Sequence, residues 1–170
     1  MVLGIVRHAK AEKDAPSGRD ADRALTRHGR NQASYLAARF GAWSRRPDLR
    51  ISSAAQRTRE TASIIARACG LDFDFDDRLL VDRPVSGAVD LIHERAAASF
   101  LVLVGHNHQV SDLALALTRG LGRAPGGLDD SGQWDHIREL ATGQAVILEV
   151  VRPMIVGGCR VVDVWRLEEE

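Results

Sequence analysis

The sequence is short of several things, and each shortage excludes a class of protein. It has two cysteines in 170 residues, Cys69 and Cys159. That is too few for a disulfide framework, and neither has the CxxC partner a thiolate metal site needs. They read as part-buried thiols in a reducing compartment. Aromatic residues make up 5% and the formal net charge is zero, which excludes the basic, base-stacking surface of a nucleic-acid binder. Trp43, Trp134 and Trp165 read as packing residues. No apolar run approaches the ~18 residues of a membrane-spanning helix. The run Val2 to Val6 is broken by Arg7 and is too short for a secretory core. The expectation is a cytoplasmic protein with no membrane partner. What is present is ordinary for a folded domain: 45% hydrophobic and 27% charged residues. The length predicts one domain over 1–170, with Glu168-Glu169-Glu170 as a frayed acidic tail.

The charges are unevenly spread. Residues 1–67 hold 14 Lys/Arg against 6 Asp/Glu, and the remainder reverses the balance. A basic first half suggests an anionic ligand near the N-terminal elements.

Apolar patterning alternates between strand and helix periods. Leu3 to Val6 reads as a buried strand ending at Arg7-His8. Thr26 caps a helix carrying Ala33, Leu36, Ala37 and Phe40, with Leu25 as its staple. Pro47 to Ser53 predicts a second strand, and Ser53 or a neighbour caps a helix over Ala54–Ala68 that Gly70 ends. Leu71 to Phe75 alternates strictly, as an edge strand does. Val85 to Ala98 reads as a helix, and Phe100 to Val104, the most apolar run, as a central strand. Ser111 to Arg119 gives a further helix, Gly120 to Gly132 a loop, and Gln144 to Val151 and Arg160 to Leu167 two final strands. This alternation predicts a three-layer α/β/α sandwich with a mostly parallel central sheet. Such sheets bind ligands at the carboxyl ends of their strands. His8 and His106 both fall at such ends, which is the first reason to place them in one pocket.

Three short segments carry chemistry. Arg7-His8-Ala9 puts a permanent cation and an imidazole at a strand end. Arg57 lies in the first turn of the helix after the second strand, where a helix N-terminus and a guanidinium fork both favour phosphate oxygens. Gly105-His106-Asn107 brings a second imidazole to the end of the central strand. His106-x-His108 has no third ligand at metal spacing, so no metal and no cofactor are expected.

Together these segments resemble the histidine phosphatase (phosphoglycerate mutase-like) superfamily. Arg7-His8-Ala9 is similar to its Arg-His-Gly signature, with Ala for Gly. Leu25-Thr26-x-x-Gly29-x-x-Gln32-Ala33 resembles its first-helix motif, and Ser52 through Ala62 its Ser-x-x-x-Arg-x-x-x-Thr-Ala block. Gly105-His106-Asn107 resembles its Gly-His-Asn block. The short length is similar to the small SixA-type phosphohistidine phosphatases, and it leaves no room for the lid segments of a mutase. The resemblance implies that His8 is the nucleophile, that Arg7 and Arg57 clamp the phosphoryl oxygens, and that His106 donates to one of them. Ser52 and Asn107 follow as further phosphate-binding positions. Asp82 is the candidate acid for an ester leaving group, with Glu12 as the second choice.

Elementary chemistry supports such a site. Phosphoryl transfer needs in-line attack and charge stabilisation, which two guanidinium groups and a cationic His106 could supply without a metal. His8 must be neutral to attack, and neighbouring arginines should lower its basicity. Its second ring nitrogen should donate to a backbone carbonyl. Lys10 could add charge at the rim, and Arg19, Arg23 and Arg27 could guide an anion. The expected activity is a metal-independent phosphatase acting through a phosphohistidine on His8, with a phosphohistidine-bearing signalling or phosphotransfer protein as substrate. The alternatives are a small phosphomonoester as substrate, or a non-catalytic phosphoryl-binding module on the same fold.

Overall fold

The computed structural model describes residues 1–70, 72–119, 135–151 and 157–168, the side chains of residues 135 and 136 excepted. The expected loop Gly120–Gly132, Trp134 and the last two residues of the acidic tail lie outside them, as does Leu71 at the start of the expected edge strand. Strand β1 is Val2–Arg7, helix α1 Arg27–Ala42, β2 Leu49–Ser52, α2 Gln56–Cys69 and β3 Asp74–Phe75. Then come α3 Val85–Glu94, β4 Phe100–Gly105, α4 Gln109–Arg119, the single turn α5 Asp135–Arg138, β5 Gln144–Glu149 and β6 Arg160–Arg166.

The six strands form one sheet in the order β3-β2-β4-β1-β5-β6. The first four run parallel; on the β1 side β5 pairs antiparallel with β1 and β6 antiparallel with β5, so β5 alone runs against the rest. Helices cover both faces. Because side chains alternate along a strand, Val2 and Val6 of β1 join Phe100, Val102 and Val104 of β4 under Leu36, Phe40 and Ile65 of α1 and α2. Leu3, Ile5, Leu101 and Leu103 point the other way, toward Leu91 and Ile92 of α3 and Leu113 and Leu117 of α4. β4 is buried at every position, as its continuous apolar run requires. Each large aliphatic side chain withdrawn in this way contributes roughly 1.5–3 kcal/mol.

Local signals set most boundaries. The Thr26 side chain accepts from Gly29 N at 2.9 Å and caps α1, a bond worth about 1 kcal/mol. Gly70 closes α2 at φ 73°, a left-handed backbone that costs glycine nothing. Three expectations need correction. The alternating 71–75 segment pairs over only Asp74–Phe75, with Phe73 buried and Phe75 exposed. α3 stops at Glu94, short of Ala98. Ser53 does not cap α2: the helix begins after Ala55 with no side-chain cap, and the Ser53 hydroxyl is engaged elsewhere. No helix among the described residues is long and apolar enough to cross a membrane.

Candidate active site

Register brings the distant segments together. β1 and β4 pair so that Arg7 lies opposite Gly105, and His8 N donates to Gly105 O at 3.1 Å. The next residue on each strand is a histidine. β2 pairs with β4 so that Ser52 lies opposite Val104, and Ser53 N donates to Val104 O at 3.0 Å. His8, Ser53 and His106 therefore emerge together at the carboxyl edge of three neighbouring parallel strands. Beside them is a cavity of about 640 Å³ whose lining includes Arg7, His8, Arg57, His106, Asn107 and Asp82.

His8 is 9% exposed, and its Nδ1 makes a 2.8 Å bond to the Ala9 carbonyl. A carbonyl oxygen only accepts, so Nδ1 carries the proton and Nε2 keeps its lone pair. The Ala9 methyl is fully buried, packed with Leu25 and Ala33, so alanine is accommodated where the signature has glycine. Ala9 N donates to the Thr61 hydroxyl at 3.1 Å, and that hydroxyl donates to Arg57 O at 2.7 Å. One side chain of α2 thus ties the His8 loop to the segment carrying Arg57.

Burial pushes the His8 imidazole down to about 4, with Arg57, Arg7 and Arg23 adding to the effect and the Ala9 bond opposing it. Burial likewise takes His106 to about 3, helped by His8 and Arg57. Both rings are neutral at pH 7. This corrects the expectation of a cationic His106: in the free protein the guanidinium groups carry the positive charge.

His106 Nε2 shares a 2.8 Å hydrogen bond with the Ser53 hydroxyl, while its Nδ1 is buried without a protein partner. Arg7 donates Nη1 to Leu140 O at 2.6 Å, and its Nε is buried and unpartnered. Arg57 Nε is in the same condition. Buried polar nitrogens rarely go unpaired in folded proteins. Three of them on residues lining one cavity make a cradle for an anion with several oxygens. Asn107 lines the cavity, donates Nδ2 to Leu140 O at 3.1 Å and accepts from Ser111 Oγ at 2.7 Å.

Two candidates fall outside the site. Ser52 is buried, donates its hydroxyl to Ser53 O at 2.9 Å and does not line the cavity. In the block Ser-x-x-x-Arg, the serine four residues before Arg57 is Ser53, and a slip of one residue along a strand reverses the face. Glu12 is exposed and also absent from the lining, its backbone bonded to Ala24 and Arg23. Asp82 does line the cavity, at φ 62°, on a loop held by Gln109. The Gln109 amide reaches the carbonyls of Arg78, Arg83 and Pro84 at 2.7, 3.1 and 3.2 Å. Lys10 and Arg23 line the cavity, whereas Arg19 and Arg27 do not. Sequence reasoning missed Ala11, Asp20, Val81 and Thr142 in the lining. Of these only Asp20 carried a signal, as an acidic residue three before an arginine in a basic segment. Among the described residues no cluster of His, Cys, Asp and Glu could hold a metal ion.

Comparison with known proteins agrees with this geometry. The family model of the histidine phosphatase superfamily (branch 1) matches residues 3–80. The structure assigned as phosphohistidine phosphatase SixA from Agrobacterium tumefaciens is similar at TM-score 0.80 and 26% identity, over 98% of this chain and 97% of that one. SixA in complex with tungstate is similar at TM-score 0.77 and 16% identity, over 98% and 97%. A mycobacterial glucosyl-3-phosphoglycerate phosphatase in complex with VO3 is similar at 0.67 and 20%, over 98% and 99%. No curated protein matches the sequence. The chain resembles the histidine phosphatase superfamily over residues 3–80, and its three-layer fold is that of the small SixA-type structures. That partial match and the shared fold support a phosphatase activity.

Proposed function

We infer that the protein hydrolyses a phosphoryl group through a covalent phosphohistidine on His8. The observation that carries this is the state of the His8 ring. Nδ1 is committed to Ala9 O, and the neutral ring leaves Nε2 as a lone-pair donor beside the arginine cradle. Nε2 attacks phosphorus in line, and the N–P bond forms as the bond to the leaving group breaks. Arg7 and Arg57 neutralise the equatorial oxygens, and His106 donates to one of them. Water then attacks phosphorus, the N–P bond breaks, and phosphate leaves with His8 neutral again.

Phosphohistidine on a signalling or phosphotransfer protein is the preferred substrate. Its imidazole leaving group is easily protonated from solvent, so the site needs no dedicated acid. The SixA-type fold supports this choice. A small phosphate ester is the second reading, favoured by Asp82 on the cavity wall, where a carboxylic acid could protonate an alkoxide.

The test is phosphate release, in EDTA, from a protein phosphohistidine and from p-nitrophenyl phosphate, with wild type and His8→Ala. Turnover of the first that is lost in His8→Ala supports the preferred reading. Preference for the aryl ester favours the small-molecule reading and Asp82 as acid. Oxyanion binding without any turnover would sink both and leave a phosphoryl-binding module.

A further inference from the structure

We propose that Asp20 is a positioning residue for phosphoryl binding, holding Arg57 by one edge of its guanidinium while the other edge stays available to the substrate. The proposal rests on the phosphatase reading above.

Asp20 opens a 3-10 turn, Asp20–Asp22, in the segment between β1 and α1. Two of its atoms hold Arg57. Its carbonyl oxygen accepts from Nη1 at 2.8 Å and its Oδ2 from Nη2 at 2.9 Å. Its Oδ1 lies 2.8 Å from Arg23 Nε. The Asp20 side chain is 61% exposed, whereas that of Arg57 is 3% exposed. A surface carboxylate therefore reaches inward to a buried cation and bridges it to a second cation on the cavity wall.

The guanidinium has two bidentate edges, Nη1/Nη2 and Nε/Nη2. Asp20 occupies the first. Of the second, Nε is buried with no protein partner, and Nη2 has a further proton beyond the one given to Asp20. Two oxygens of a phosphoryl group can take that side edge without displacing Asp20. A long arginine fixed before the substrate arrives loses no further freedom on binding, which is preorganisation.

Charge argues the same way. The cavity wall carries the cations Arg7, Lys10, Arg23 and Arg57 and the anions Asp20 and Asp82. An excess of two positive charges matches a phosphoryl dianion. Burial opposes ionisation of Asp20, but the bonds and charges of Arg57 and Arg23 outweigh it and hold the carboxyl below its ordinary range. Asp20 is thus a permanent carboxylate at neutral pH.

A contrary role would make Asp20 an internal competitor seated where the phosphoryl group goes, and the two roles predict opposite signs. The experiment is calorimetric titration with tungstate of wild type, Asp20→Ala, Asp20→Asn and, as control, Asp22→Asn in the same turn. It is paired with kcat and KM on p-nitrophenyl phosphate and with the Arg57 Nε–H signal by NMR. Asp20→Ala is expected to weaken tungstate binding by about tenfold and to lower kcat by about 10- to 100-fold. Asp20→Asn, which keeps an oxygen acceptor without the charge, should fall between. Asp22→Asn should match wild type, and tungstate should move the Arg57 Nε–H signal in wild type. Equal or tighter tungstate binding by Asp20→Ala overturns the proposal, as does a wild type that does not bind tungstate. A wild type that binds tungstate but hydrolyses neither substrate removes the phosphatase reading, while the binding comparison still decides the role of Asp20.

Discussion

The rings of His8 and His106 lie 5.1 Å apart, centroid to centroid, with their planes inclined at 59°. Strand register alone puts them there, since each follows a residue of the Arg7–Gly105 pair. Two imidazoles so close in a buried site beside arginines cannot both hold protons at neutral pH. Each ring instead has one nitrogen engaged by the protein, His8 on Ala9 and His106 on Ser53.

The first prediction concerns pH. With His8 at about 4 and His106 at about 3, neither ring takes up a proton in the free protein above about pH 5. In the unfolded chain both titrate near 6.5. Between these values the unfolded state binds more protons, so stability is full above about 6.5 and is lost as pH falls toward 4. Tungstate, which favours the protonated rings, should restore part of the loss. Histidine NMR titration and thermal unfolding at pH 7.5 and 5 check this. Either ring titrating near 6.5 in the free protein would contradict it.

The second prediction separates two adjacent serines. Ser53→Ala removes the hydrogen-bond partner of His106 Nε2 and should lower kcat by about tenfold or more, with a changed His106 tautomer signal. Ser52→Ala removes only a bond to a neighbouring carbonyl and should leave kcat within about twofold, because its hydroxyl is turned away from the cavity. Equal losses in the two variants would show that the hydroxyl on His106 has no special role.

The third prediction concerns Arg7. Its guanidinium is anchored through Nη1 on Leu140 O while Nε stays unpartnered. Lysine carries the charge but cannot anchor and bind at once. Arg7→Lys should lower kcat/KM by about 100-fold, with thermal stability nearly unchanged. Wild-type kcat/KM in Arg7→Lys would mean that charge alone suffices.

The fourth prediction concerns Gly29, in the first turn of α1 against the His8 loop. A Cβ there would lie 2.0 Å from the Lys10 carbonyl oxygen, which is backbone and cannot swing aside. That carbonyl also accepts from Thr26 N at 2.9 Å and Thr26 Oγ1 at 3.2 Å. Gly29→Ala should destabilise the fold by about 1–3 kcal/mol and reduce activity as the loop shifts. Denaturant unfolding together with kcat measures both. An unchanged midpoint would mean that the loop yields freely.

The central features of this site were legible in the chain because they are local. A strand ending in Arg-His, a glycine that ends a helix at Gly70 and a threonine that caps one at Thr26 are short-range events. Ser52 and Ser53 show the limit. Both sit at the end of one strand, and only the pairing of β2 with β4 decides which emerges at the ligand edge. Glu12 and Asp20 show it again. Each is an acid in the same basic loop, yet the fold of that loop exposes Glu12 and brings Asp20 to Arg57.

By itself, then, the sequence determined the order of strands and helices, the buried central strand and the residue types able to bind a phosphoryl group, because periodicity and capping act within a few residues. The tertiary structure decided the rest. It joined β1, β2 and β4 in one register, desolvated His8 and His106 until both became neutral, and closed Asp20 onto Arg57. Those outcomes depend on burial and on contacts between residues distant in the chain, which no local pattern encodes.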